Sequence, residues 1–273
     1  MNVGVALGGV VAGLIASVGH PGTFTVLFAI DCATFVGYMV VLARVRSPSL
    51  HEGRLGGSWR AVLRDRVFTV YTLLNAAFMT AAISLVVELL PAFGKNVTGI
   101  SEKEVGIVFA LDAVCVAVFQ LPVVKLAEGR RRMRGFALMG TLWAATLLAV
   151  WAAGSWTRAT AAFAILAAVM PLFAVGECLH GVIHAPLSVD LAPPQLIGRY
   201  TAAASISWQM GWIVGPAAGG FLLQHRPLLL WPIAAGVNLA CAAGALALEP
   251  RLPEPVRRTP PGETAVLPIP ASG

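Results

Sequence analysis

Apolar stretches of about 20 residues recur along this sequence from one end to the other. Each is long enough to cross a hydrocarbon core of roughly 30 Å as an α-helix, whereas a membrane β-barrel would show shorter, alternating segments. Only 12% of the residues are charged, against about 25% in soluble domains. The chain is therefore predicted to be an all-α membrane protein with eight transmembrane helices. The predicted spans cover residues 1–18, 23–43, 67–90, 102–124, 135–154, 159–185, 199–223 and 228–248.

Basic residues are concentrated in alternate loops. With eight spans, most of the 19 lysines and arginines fall on one side of the membrane. Because positively charged loops stay on the cytoplasmic side, we expect a multi-pass protein of the plasma membrane with both termini in the cytoplasm. The net charge of +6 is then a topology signal, and nucleic acid is not expected as a partner. The segment after residue 248 is rich in proline and polar residues and is predicted to be disordered.

An offset of 207 residues relates the first two spans to the last two. It places three glycines of the first span on three glycines of the seventh. Small residues four positions apart share a helix face and let two helices approach closely, and a proline can bend the helix. Generic packing of small residues is the alternative, but repeated halves are typical of secondary transporters. The predicted packing motif comprises Gly211, Gly215, Pro216, Gly219 and Gly220, with Gly4, Gly8 and Gly13 as its counterpart.

A resemblance to the major facilitator superfamily, and within it to bacterial drug:proton antiporters, rests on three stretches. The eleventh helix of that family resembles GRYTAAASISWQMGWIVGPAAGGFLL. Its tenth helix is similar to GECLHGVIHAPLSVDLAPPQLIGRY, and the start of its eighth helix is similar to GISEKEVGIVFALDAV. The predicted cytoplasmic basic loop, KLAEGRRRMRG, includes Arg130, Arg131 and Arg132. It keeps Gly129, Arg130 and Arg131 of the family's loop pattern but lacks the Asp that usually precedes them.

The resemblance covers helices five to twelve of the family's twelve. It implies that 1–43 form the last two helices of an N-terminal bundle and 44–66 a cytoplasmic central loop. A complete six-helix C-terminal bundle at 67–248 and a cytoplasmic tail at 249–273 would follow. The implied function is proton-coupled efflux of drugs or other small amphipathic molecules by alternating access. Only two of the four helices that wall the cavity in this family would be present. We therefore expect the chain alone not to transport, and to need N-terminal helices or another chain to complete the cavity.

The sixth span carries the best candidates for chemistry. Glu177, His180 and His184 lie at i, i+3 and i+7 and share one helix face. Ionisable groups at membrane depth are costly, which makes them functional candidates, although interhelical hydrogen bonding is the alternative. A carboxylate with two imidazoles could accept a proton and contact a cationic or amphipathic substrate, and a buried glutamate is suited to reversible protonation. The predicted residues of the substrate cavity or of proton coupling are Glu177, His180, His184, Phe173, Asn75, Thr80, Ser84 and Asp112.

Motifs of soluble enzymes are missing from the sequence. It contains no Walker loop, and its glycines lie within helices, not at strand-to-helix turns, which argues against an ATP-driven pump and against a dinucleotide cofactor. His180 and His184 have the spacing of zinc ligands on a helix, but a zinc site needs three or four ligands. We therefore expect no metal, no cofactor and no enzyme, with the lipid bilayer, a small-molecule substrate and protons as partners. Transport of another small solute, a non-transporting remnant and a membrane-embedded metalloenzyme remain as alternatives.

Overall fold

The structure, a computed structural model, describes Ile15, residues 22–44 and residues 58–261. The chain divides into two compact units, Met1–Gly56 and Gly57–Gly273. In the first unit, helix α1 (Gly22–Arg44) has 23 residues, and none of them is buried. Its length and apolar composition allow it to cross a membrane. The predicted span 1–18, its glycines Gly4, Gly8 and Gly13, and most of the predicted central loop lie outside the described residues.

Within residues 58–261, the second unit is a bundle of six long helices preceded by a short one. Side chains define several helix starts: the Asp65 carboxylate accepts a hydrogen bond from the Phe68 amide at 3.0 Å, and Ser101 and Glu104 form a capping box. Gly99 has a left-handed backbone, with φ of 77°, where the third helix ends. The helices are α2 (Trp59–Arg64), α3 (Arg66–Thr98), α4 (Glu102–Ala127), α5 (Arg132–Trp156), α6 (Ala159–Asp190), α7 (Ile197–His225) and α8 (Pro227–Leu248).

Within the described residues, six helices are long and apolar enough to cross a membrane, namely α1, α3, α4, α5, α6 and the helix that begins with α8. They correspond to six of the eight predicted spans. Helix α7 has 29 residues but is not among the six, because its serines, glutamine and glycines make it less apolar. In the residues that it describes, the structure is therefore helical, with several helices able to cross a membrane. The total of eight transmembrane helices and the partial N-terminal bundle remain predictions.

Aromatic rings fill the core of the second unit and pack against glycines. Phe78, Phe93 and Trp143 are fully buried. An added Cβ on Gly140 would collide with the Phe78 ring, and an added Cβ on Gly154 would collide with the Phe93 ring. The Phe78 ring also meets Phe136 edge to face, with 5.3 Å between the centroids. These contacts hold α3 against α5. They therefore fix the position of α3, which carries several of the candidate residues.

Helix α3 contains a π-helical turn at Met79–Ile83, and α7 packs directly against it. Ideal Cβ atoms at Gly211 and Gly215 would approach the α3 backbone, at 2.8 Å from the Met79 carbonyl carbon and 2.9 Å from the Thr80 oxygen. Gly219 faces leucine side chains of α3. Gly220 is different, since nothing lies within 4 Å of its ideal Cβ. Three of the four predicted glycines of α7 therefore make the close contact with α3, and the fourth does not.

The segment after α8 differs from the predicted disordered tail. Glu249–Arg251 and Glu254–Val256 form short 3-10 turns, and Arg258 pairs with Arg131 in an isolated antiparallel bridge. The Glu249 carboxylate, which is nearly buried, lies 2.7 Å from an Arg131 guanidinium nitrogen and 3.5 Å from one of Arg134. The prediction of disorder is thus wrong for residues 249–259, because hydrogen bonds and ion pairs hold them against the α4–α5 loop. Residues 262–273 lie outside the described residues.

Candidate functional site

Two carboxyl groups from different helices meet inside the bundle. Asp112 of α4 and Glu177 of α6 lie close enough to interact with each other, and Oδ1 of Asp112 is buried without a hydrogen-bond partner. Asp112 is ten residues into α4, about 15 Å from its start at 1.5 Å per residue. A carboxylate offers no donor, so a hydrogen bond between two carboxyl groups requires a proton on one of them. Asp112 and Glu177 are therefore the candidate pair for a bound proton.

A second polar network joins α6 to α3 and α7. Nε2 of His180 lies 2.8 Å from the side-chain oxygen of Asn75, and the Asn75 amide nitrogen donates to the Ser207 hydroxyl at 2.9 Å. Since the oxygen of Asn75 can only accept, Nε2 of His180 carries a hydrogen in this arrangement. His180, Asn75 and Ser207 are all buried. This network can hold three helices in register, and it can also respond to a change at any one of its members.

His184 continues this network toward the end of α6. Its ring stacks on that of His180 with 4.8 Å between the centroids. The Tyr71 hydroxyl lies 2.6 Å from Nδ1 of His184 and 2.9 Å from its carbonyl oxygen. The residues of the predicted helix face therefore contact three different helices. Glu177 turns to α4, while the two histidines turn to α3 and α7.

A cavity of about 500 Å³ lies between α6 and α7 beside His184. Its wall combines an imidazole, an indole, hydroxyl groups and an amide with small apolar side chains. The Trp208 ring also packs against His180, with 5.3 Å between the centroids. This mixture of aromatic surface and few polar groups is typical of small-molecule sites. The polar and aromatic lining residues are His184, Ser188, Thr201, Ser205, Trp208 and Gln209.

Two predicted cavity residues, Phe173 and Ser84, lie in helix packing instead, and a third, Thr80, lines a separate cavity with residues of α7 and α8. Phe173 is 1% exposed, and its carbonyl oxygen accepts a hydrogen bond from the Trp143 indole at 3.2 Å. Ser84 is buried and donates to the Thr80 carbonyl at 3.1 Å, at the place where Gly215 of α7 packs on α3. In this structure, the Phe173 carbonyl and the Ser84 side chain therefore contribute to the packing of α6 against α5 and of α3 against α7.

Tyr71, Ser207 and Trp208 belong to the site but were not predicted from the sequence. The signal for Ser207 and Trp208 was available, because both stand in the polar first half of an otherwise apolar helix. Tyr71 gave no such signal, because it lies close to the start of α3 and aromatic residues are common where a helix meets the membrane interface. In the part of the chain that the structure describes, no group of three or more His, Cys, Asp and Glu side chains could hold a metal ion.

Comparison with known proteins places the chain in a family. The family model for the major facilitator superfamily matches residues 90–271. The multidrug resistance protein MdtH of Cronobacter sakazakii is 26% identical over 219 residues, which cover 77% of this chain and 50% of that protein. The uncharacterized MFS-type transporter YhjO of Bacillus subtilis is 24% identical over 209 residues, covering 72% of this chain and 48% of that protein. No solved structure matches the chain with comparable significance.

The chain therefore belongs to the major facilitator superfamily of membrane transporters, which confirms the resemblance found in the sequence. MdtH of Klebsiella pneumoniae is also similar, at 26% identity over 74% of this chain. The chain spans about half the length of the curated relatives it matches.

Proposed function

We propose that this chain supplies the C-terminal bundle of a proton-coupled exporter of small amphipathic or cationic molecules. The observation that carries the proposal is the contact between Asp112 and Glu177 inside two membrane-spanning helices. A pair that holds one proton can release it and bind it again as the surroundings of the helices change. Two of the similar proteins are named multidrug resistance proteins, which supports a small amphipathic molecule as the substrate.

The substrate would contact the cavity between α6 and α7. Its indole and imidazole groups suit a flat or cationic molecule, and its volume of about 500 Å³ falls in the range of small-molecule sites. His180 and His184 link this cavity to the segment of α6 that carries Glu177. Binding of substrate and of a proton would therefore act on the same helix, as alternating access requires.

The first test measures the proton directly. In the infrared spectrum of the purified chain near neutral pH, a protonated carboxyl group gives a separate C=O band. We expect the frequency or intensity of that band to change in Asp112→Asn and in Glu177→Gln. Glu88→Gln is the matched control, since Glu88 is exposed near the far end of α3 and should leave the band unchanged. A band that is the same in both pair variants as in the unchanged chain would overturn the proposed proton site.

The second test measures transport in proteoliposomes with an imposed pH gradient and a fluorescent lipophilic cation. The chain is measured alone and together with a four-helix N-terminal segment of a relative. We expect proton-linked transport only when the N-terminal segment is present. In that combination, Glu177→Gln should strongly reduce the transport rate, and Glu88→Gln should leave it unchanged. Transport that remains equally dependent on the gradient in Glu177→Gln would contradict the assigned role.

A further inference from the structure

A second cavity, of about 470 Å³, lies at the end of the bundle that holds the α4–α5 loop. One wall is apolar and is formed by side chains of α4, α5 and α6, including Leu126, Leu138 and Ile183. The opposite side is lined by arginines of the loop and by Arg258 of the C-terminal segment. Leu126 and Leu138 are 59% and 50% exposed, so the apolar wall opens toward the surface that a bilayer would cover.

Arg132 lines this cavity, and only some of the N–H groups of its guanidinium have a hydrogen-bond partner. The side chain is 1% exposed, and one terminal nitrogen lies 2.6 Å from the Asp190 carboxylate. Its Nε and its other terminal nitrogen are buried and have no hydrogen-bond partner. Guanidinium N–H groups without a partner are costly when buried. They point to an acceptor that the protein itself does not supply.

Two further features favour an anion at the same place. Helix α5 begins at Arg132, and the residue before it gives no side-chain cap, so the positive end of the helix dipole faces the loop. Among residues 58–261, Arg130 and Arg258 take part in no ion pair, whereas Arg131 and Arg134 share Glu249. The cavity therefore keeps an excess of positive charge.

Backbone pairing fixes Arg258 at the cavity. The Gly129 amide donates to the Thr259 carbonyl and the Thr259 amide donates to the Arg130 carbonyl, both at 2.9 Å. The Arg258 guanidinium donates to the Gly129 carbonyl at 2.8 Å. The C-terminal segment thus adds a fixed positive charge to a site formed otherwise by α4, α5 and α6.

We propose that this cavity binds the phosphate group of an anionic amphiphile. Arginine forms paired hydrogen bonds with phosphate oxygens, and Arg132 would be the central ligand, with Arg130 and Arg258 at the rim. The apolar wall fits an alkyl chain that leaves the bilayer beside α4 and α5. Phosphate can come from a phospholipid or from solution, and the two sources share the same contacts to the arginines.

The test is a binding titration of the purified, delipidated chain in detergent, followed by native mass spectrometry. The probes are phosphatidylglycerol, phosphatidylcholine, diacylglycerol and inorganic phosphate. We expect phosphatidylglycerol to bind most tightly, phosphatidylcholine more weakly because its choline is cationic, and diacylglycerol not to bind specifically. The double variant R130Q/R258Q should weaken phosphatidylglycerol binding roughly thirtyfold, or about fivefold for each charge. Competition by inorganic phosphate would show that free phosphate also enters, and its absence would show that the acyl chains are required.

Arg64→Gln is the matched control, because Arg64 is exposed on α2 and does not line the cavity. Arg132→Gln should weaken binding further. If that variant fails to fold, the exposed pair R130Q/R258Q still decides the question. Equal affinity for phosphatidylglycerol in R130Q/R258Q and in the control, or equal binding of diacylglycerol, would overturn the proposal.

Discussion

Replacement of Gly215 by alanine should destabilise the bundle, whereas the same change five residues later should not. The added Cβ at position 215 would overlap the Ser84 hydroxyl and lie 2.9 Å from the Thr80 carbonyl oxygen. The oxygen belongs to the helix backbone, which cannot move as a side-chain tip can. At Gly220, nothing lies within 4 Å of the added carbon.

The expected magnitudes follow from two opposing effects. Alanine is favoured over glycine within a helix by about 1 kcal/mol, and this gain applies at both positions. Overpacking a well-packed contact costs typically 1–3 kcal/mol, and this cost applies at Gly215 alone. We therefore expect Gly220→Ala to be neutral or stabilising and Gly215→Ala to lose stability. The two variants should differ by about 2–3 kcal/mol, the upper part of the cost range.

The assay is thermal unfolding of the purified chain in detergent, followed by tryptophan fluorescence, with Gly220→Ala as the control. A difference of this size corresponds to roughly 5–10 °C in melting temperature for a domain of this length. Ser84→Ala, combined with Gly215→Ala, removes the closest contact and should recover part of the loss. Equal melting temperatures for Gly215→Ala and Gly220→Ala would refute the packing argument.

Two further predictions concern polar packing and topology. Asn238→Leu should lower the melting temperature by more than the control Val237→Ile, because the buried Asn238 amide donates a hydrogen bond to the Ala81 carbonyl at 3.0 Å. Loss of a hydrogen bond to a buried carbonyl costs about 1–3 kcal/mol. Equal melting temperatures for the two variants would mean that this hydrogen bond adds nothing to stability. In a cysteine-free background, a membrane-impermeant thiol reagent should label an engineered cysteine at Asn96 in intact cells but not one at Arg130. Labelling of position 130 would reverse the predicted orientation.

Six of the eight predicted spans coincide with helices able to cross a membrane, and these could be predicted because hydropathy is a local property of each segment. The capping of α4 by Ser101 and Glu104 and the small-residue face of α7 are equally local patterns. Gly220 shows the limit of that reasoning. It fits the same small-residue motif as Gly219, but the α3 backbone passes on one side of α7 only, and no periodicity in α7 specifies where α3 lies.

The candidate site was only partly predictable, for a similar reason. Glu177 and Asp112 were both identified as ionisable groups within spans, but their contact depends on how α4 packs along α6. The C-terminal segment was predicted to be disordered from its composition. Its partners, Gly129 and Arg131, lie more than a hundred residues earlier in the chain, and composition carries no information about such a distant pairing.

Helix α6 joins the two polar networks mechanically. Glu177 and His180 are three residues apart, about 4.5 Å along the helix axis, yet one turns to α4 and the other to α3 and α7. Pro171 and Pro186 lie within the same helix, and each removes one backbone hydrogen bond. The segment between these prolines therefore carries both networks and is bounded by the two points where α6 bends most easily. Under the proposed function, a change in protonation on the α4 side and a change in contacts on the α7 side would therefore act on the same short segment of α6.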